Sequence, residues 1–84
     1  MAARKTAIDK GFGDERYRAL IGQLVDARKA LGWSQDSLAA NLGRHQQFVS
    51  RYELGERRLD AVEFVDVARA LALDPAALIS GVPS

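Results

Sequence analysis

Three glycines, Gly32, Gly43 and Gly55, divide the middle of this chain into short stretches. Each follows a run whose apolar residues recur at helical spacing. Glycine accepts the left-handed backbone that closes a helix, so each is placed to stop one. The outcome is a set of separate helices joined by tight turns. Ala and Leu dominate the apolar set, and no run alternates apolar with polar residues at period two. Both points select an all-α fold.

The helix signals can be read in order. The first helix should span about Glu15 to Leu31, with Leu20, Leu24, Ala27 and Leu31 on its inner face. Ser34 caps a second helix that ends at Leu42. Trp33 stands before that cap and Leu38 four residues after it, the spacing of a hydrophobic staple. A third helix covers about Gln46 to Leu54, followed by the charged loop "ERRLD". Asp60 and Glu63 form a capping box for a fourth helix, whose expected stripe is Phe64, Val65, Ala68 and Leu71. Asp74 and Pro75 open a short fifth helix carrying Leu78 and Ile79. Residues 1–14 have two glycines, scattered charge and no periodicity. They read as a flexible arm, in which Arg4, Lys5 and Lys10 are candidates for phosphate contact. Residues 15–84 then form the domain.

Composition limits the function. A chain of 84 residues suits one domain, and 48% hydrophobic residues argue against disorder throughout. Cysteine is absent, which removes disulfides and thiolate metal sites. No apolar run approaches the ~20 residues of a membrane span. The N-terminus lacks the apolar core of a secretory signal, so the cytoplasm is the expected location. His45 is the single histidine, with no ordered acid pair to support it. A catalytic residue, a metal site and a bound cofactor are therefore not expected, and no glycine-rich phosphate loop is present. The chain ends soon after the fifth helix, so no ligand-sensing domain is expected. Net charge is only +1, but it is unevenly spread. Residues 1–30 hold seven Lys/Arg against four Asp/Glu, while residues 59–84 hold one against four. A locally basic face can bind a polyanion whatever the sum.

The third helix carries the functional signal. Gln46, Gln47, Ser50 and Arg51 fall on one face, roughly opposite Val49 and Tyr52. The apolar pair can pack inward while the polar four look out. Two short helices around a tight glycine turn form a helix-turn-helix, whose second helix enters the major groove. A glutamine amide matches adenine N6 and N7, and arginine matches guanine O6 and N7. Phe48, beside the glutamines, has two open readings: core packing, or the rim of the groove against thymine methyls.

The ordered set of "SQ" at Ser34, "LA" inside the second helix, Gly43, Val49, "E-x-G" and "L-A-L-D-P-x-x-L" resembles the Cro/C1-type helix-turn-helix domain of the XRE family. The resemblance covers about Leu20 to Ile79. It implies a five-helix, lambda-repressor-like DNA-binding domain that binds double-stranded DNA, usually as a homodimer. Residue by residue, it gives base reading to Gln46, Gln47, Ser50 and Arg51. Gln35 corresponds to a phosphate-contacting glutamine, and Arg57 and Arg58 lie in the loop that grips the DNA backbone. Arg28 and Glu53 correspond to a structural salt bridge. Two positions depart from the pattern. Arg44 replaces an apolar residue and becomes a further candidate for the DNA backbone. His45 stands where Ser or Thr caps the third helix. Leu78, Ile79 and Val82 are the candidate dimer surface. The alternative reading is a protein-interaction module, such as the antitoxin of a toxin–antitoxin pair, with a protein partner in place of DNA.

Overall fold

The cap of each helix explains where it starts. In the computed structural model, which describes residues 14–84, Asp14 accepts a hydrogen bond from Arg16 N and opens α1 (Glu15–Ala30). Ser34 accepts from Ser37 N and opens α2 (Gln35–Leu42). His45 opens α3 (Gln46–Leu54) with an extended backbone but no side-chain cap. Asp60 and Glu63 form the reciprocal capping box of α4 (Ala61–Ala70). Asp74 accepts from Ala76 N and Ala77 N at the start of α5 (Pro75–Ser80). A cap of this kind is worth about 1 kcal/mol, so α3 begins with less local support than its neighbours. The arm residues Arg4, Lys5 and Lys10 lie outside the described residues.

The glycine stops are present as expected. Gly32, Gly43 and Gly55 have φ of 75°, 70° and 85°. The Gly43 turn folds α2 against α3, α4 closes over α2, α1 packs on α3, and α5 packs on α4. Tyr52, Leu24, Leu38, Val49 and Val67 are fully buried where these helices meet. Burial of an aliphatic side chain of this size contributes about 1.5–3 kcal/mol. The Tyr52 hydroxyl has no hydrogen-bond partner among the described residues, and burial pushes its pKa up.

Two inner faces differ from the sequence expectation. In α1 the buried residues are Ile21, Leu24 and Arg28, whereas Leu31 is 47% exposed. The helix ends at Ala30, so Leu31 is its C-cap residue and lies beyond the last inward turn, while Arg28 takes an inward place that an apolar count does not register. In α4 the buried residues are Glu63, Phe64, Val67 and Ala68, followed by the buried C-cap Leu71, with Val65 half-buried. Trp33 is also half-buried and packs against the core, consistent with a packing role.

Ala72, after the end of α4, has φ of 62°. It occupies the position that Gly32 occupies after α1, but with a Cβ that disfavours this conformation. Ala72→Gly should therefore stabilise the fold by about 1 kcal/mol, the relief of strain outweighing the extra backbone entropy. Chemical denaturation of the two proteins measures the difference.

Candidate nucleic-acid interface

The outward side of α3 is built on a buried ion pair. Arg28 Nε donates to Glu53 Oε2 at 2.8 Å and Arg28 Nη2 to Glu53 Oε1 at 3.0 Å. Only 9% and 7% of the two side chains are exposed. Arg28 Nη1 donates to the carbonyl of Trp33 at 2.7 Å. One guanidinium thus joins α1 to the end of α3 and to the turn before α2. Its pKa is raised, chiefly by the bond to the Glu53 carboxylate.

This pair extends toward the surface. Gln35 Nε2 donates to Glu53 Oε1 at 2.8 Å, and Gln46 Nε2 donates to Gln35 Oε1 at 3.4 Å. The direction of this chain follows from chemistry. A carboxylate only accepts, so Gln35 must present its NH2 to Glu53 and its oxygen to Gln46. Gln46 must then donate, leaving its oxygen and a second N–H without a hydrogen-bond partner among the described residues. Gln46 and Gln47 are exposed, as is Arg51, and Ser50 is half-buried with its hydroxyl donating to Gln47 O at 3.4 Å. Val49 and Tyr52 lie on the opposite side, with no exposure.

The basic residues divide into two groups. Arg58 lies apart over the Tyr17 ring, 4.4 Å from its centroid, and the Tyr17 hydroxyl accepts from Leu59 N at 3.1 Å. Arg44 and Arg57 come together on Glu63. Arg57 donates to both Glu63 oxygens, at 2.8 and 2.7 Å, and Arg44 to Oε2 at 3.2 Å. Glu63 Oε1 also accepts from Asp60 N at 3.0 Å. The sequence marks Glu63 as a capping acid and gives no sign that two distant arginines share it. Phe48, for which the sequence allows core packing or the groove rim, is 9% exposed and packs edge-on to Tyr52 with centroids 5.6 Å apart. It is a core residue whose ring underlies both guanidinium groups.

A helix-turn-helix family model of Cro/C1 type matches residues 24–78. The chain belongs to this XRE family of DNA-binding transcriptional regulators. A solved XRE-family like protein from Pseudomonas syringae pv. tomato str. DC3000 superposes with a TM-score of 0.82 at 46% identity, covering 98% of this chain and 94% of that one. An uncharacterized transcriptional regulator in the ATPase CF(0) region of Rhodospirillum rubrum is 39% identical over 56 residues. That match covers 66% of this chain and about half, 52%, of the relative. Among the described residues, no cluster of His, Cys, Asp or Glu could hold a metal, and no helix is long and apolar enough to cross a membrane.

Two predictions come from these ion pairs. Glu53→Ala strands a buried arginine and should destabilise the fold by about 3–5 kcal/mol, seen as a large drop in melting temperature. An unchanged midpoint would contradict the burial of the pair. Glu63 is held at about pKa 2, from an ordinary 4.5, foremost by the Arg57 guanidinium. A lowered folded-state pKa means that its stabilisation is complete above about pH 4.5 and is lost as pH falls toward 2. Asp14, lowered to about 2 by Arg16, titrates in the same window. The readout is thus a difference between variants: Glu63→Gln should lose less stability than the wild type on acidification.

Proposed function

We propose that this protein is a non-enzymatic transcriptional regulator that binds a specific duplex sequence as a homodimer, with α3 in the major groove. The observation that carries the reading is the chain Arg28–Glu53–Gln35–Gln46. It ties the exposed amide of Gln46, at the first residue of α3, through one 3.4 Å bond that leaves one acceptor and one donor unused. That pair complements adenine, which offers a donor at N6 and an acceptor at N7. Gln47 and Arg51 extend the same reading surface, and Ser50 contributes at its margin. Gln35 supports Gln46 and offers its remaining amide hydrogen to a phosphate. Arg44, Arg57 and Arg58 are the backbone-contacting cations. A DNA-binding regulator of this kind works in the cytoplasm.

Dimerisation is supported by the apolar surface near the C-terminus. Ile79 is 53% exposed, while Leu78 and Val82 are half-buried. Ile79 borders a groove of about 680 Å³ that also includes Tyr17, Leu20, Phe64, Val65 and Pro75. One module reads few base pairs, and two copies reading half-sites about one helical turn apart supply the missing specificity.

Selection of bound duplexes from a random library, at moderate salt and with the protein alone, tests this directly. A two-fold symmetric site should be enriched. Binding without enrichment would leave only backbone attraction, and the groove beside Ile79 would then point to a protein partner. On the selected site, Gln47→Ala should relax the base preference. Arg58→Ala should instead weaken all duplexes alike and lower the salt slope by about one. Uniform loss in both variants would remove Gln47 from base reading.

A further inference from the structure

Arg44 precedes α3 and Arg57 follows it, yet both lie over one side chain. Their guanidinium carbons are 4.3 and 5.1 Å from the centroid of the Phe48 ring. Both also bond to the same oxygen of Glu63, at 3.2 and 2.7 Å. The carboxylate is inside and the cations are outside: Glu63 is 10% exposed, against 41% for Arg44 and 39% for Arg57.

The acceptor capacity of Glu63 is fully used. A carboxylate has about four acceptor positions, and here they take two bonds from Arg57, one from Arg44 and one from Asp60 N. Arg44 uses only Nη2 in this way. Asp60 and Asp66 stand near this cluster, but the shallow cleft of about 290 Å³ that Arg44 and Arg57 border is completed by Phe48, Arg51, His45 and Gln47, three arginines and no acid among its lining residues. The cleft therefore adjoins the exposed face of α3. Neutralising Glu63 requires one arginine, and the second adds charge that an external oxyanion can match. Planar guanidinium groups suit the oxygens of a phosphodiester.

We infer that Glu63 is a positioning residue, holding Arg44 and Arg57 on the Phe48 ring as a two-arginine clamp for a phosphodiester of the duplex beside α3. The inference rests on the reading that α3 faces DNA. Two effects of Glu63 oppose each other. Its negative charge repels a phosphate. Its bonds fix two long side chains beforehand, so that less freedom is lost on binding. In the clamp, fixing outweighs repulsion.

The opposed signs make the test decisive. Affinities of the wild type, Glu63→Gln, Arg57→Ala and the double variant are measured on the selected duplex and on an unrelated one, at several salt concentrations. Glutamine preserves the capping box, so α4 retains its start. Glu63→Gln should bind the selected duplex about tenfold more weakly, with a salt slope no shallower than the wild type's. Arg57→Ala should cost about tenfold in the wild type and much less beside Glu63→Gln, because the two residues act as a unit. Equal or tighter binding by Glu63→Gln would mean that the arginines act by charge alone, and would overturn the clamp.

Phe48→Leu keeps an apolar core residue and removes both ring contacts. It serves if thermal melting shows Glu63→Gln unfolded, and unchanged affinity would overturn the clamp equally. A wild type that prefers no duplex would sink the parent reading, and this one with it. A wild type with clear preference, matched by Glu63→Gln, sinks the clamp alone. A free phosphate is a second source of the same chemistry. It is tested by titrating inorganic phosphate at fixed ionic strength while following the arginine Nε–H resonances. Saturation there, with duplex affinity unaffected by Glu63→Gln, would assign the cleft to a free anion and overturn the clamp.

Discussion

Arg28 and Glu53 form a two-pronged contact in a place almost closed to solvent. Removing two charges from water is costly, and good geometry only offsets that cost. Equivalent apolar packing could stabilise as well. The pair provides direction that oil-like contacts lack. Its five donors and four acceptor positions specify where α1, α3 and the turn at Trp33 must meet. Gln35 then finds the one orientation its amide can take, and Gln46 follows from Gln35. The register of the exposed face of α3 is inherited from an interaction that is itself invisible from outside.

Elsewhere the apolar core sets distances rather than directions. Leu24, Leu38, Val49 and Val67 are wholly enclosed. They hold the helix-turn-helix closed, and the left-handed turn at Gly43 folds α2 against α3. The weak point is the start of α3, where His45 leaves the first N–H groups without a side-chain cap. Phe48 compensates in part, since its ring is fixed between Tyr52 and two guanidinium groups.

Much of the fold was legible in the sequence because its punctuation is local. A glycine stop, a serine cap and an Asp–Glu capping box each act within four residues, and all appear where their spacing puts them. The faces were harder. Leu31 continues the apolar stripe of α1 by spacing, but the helix ends at Ala30 and leaves Leu31 exposed as its C-cap residue, while Arg28 is buried on the inner face. The polar face of α3 could be read because 3.6-residue periodicity separates it from Val49 and Tyr52. The link between Arg44, Arg57 and Glu63 could not be read that way. It depends on three segments converging, and no local spacing encodes that convergence.

The hydrogen-bonded chain from Arg28 to Gln46 also limits what can be moved between proteins. If α3 alone were grafted onto another scaffold, Glu53 would arrive without Arg28 and Gln46 without Gln35. The graft would reproduce the letters of the exposed face of α3 but not the hydrogen bonds of its first amide. A transplantable unit needs at least the segment from α1 through α3, because the residues bonded to Gln46 and Glu53 lie on the two helices before α3.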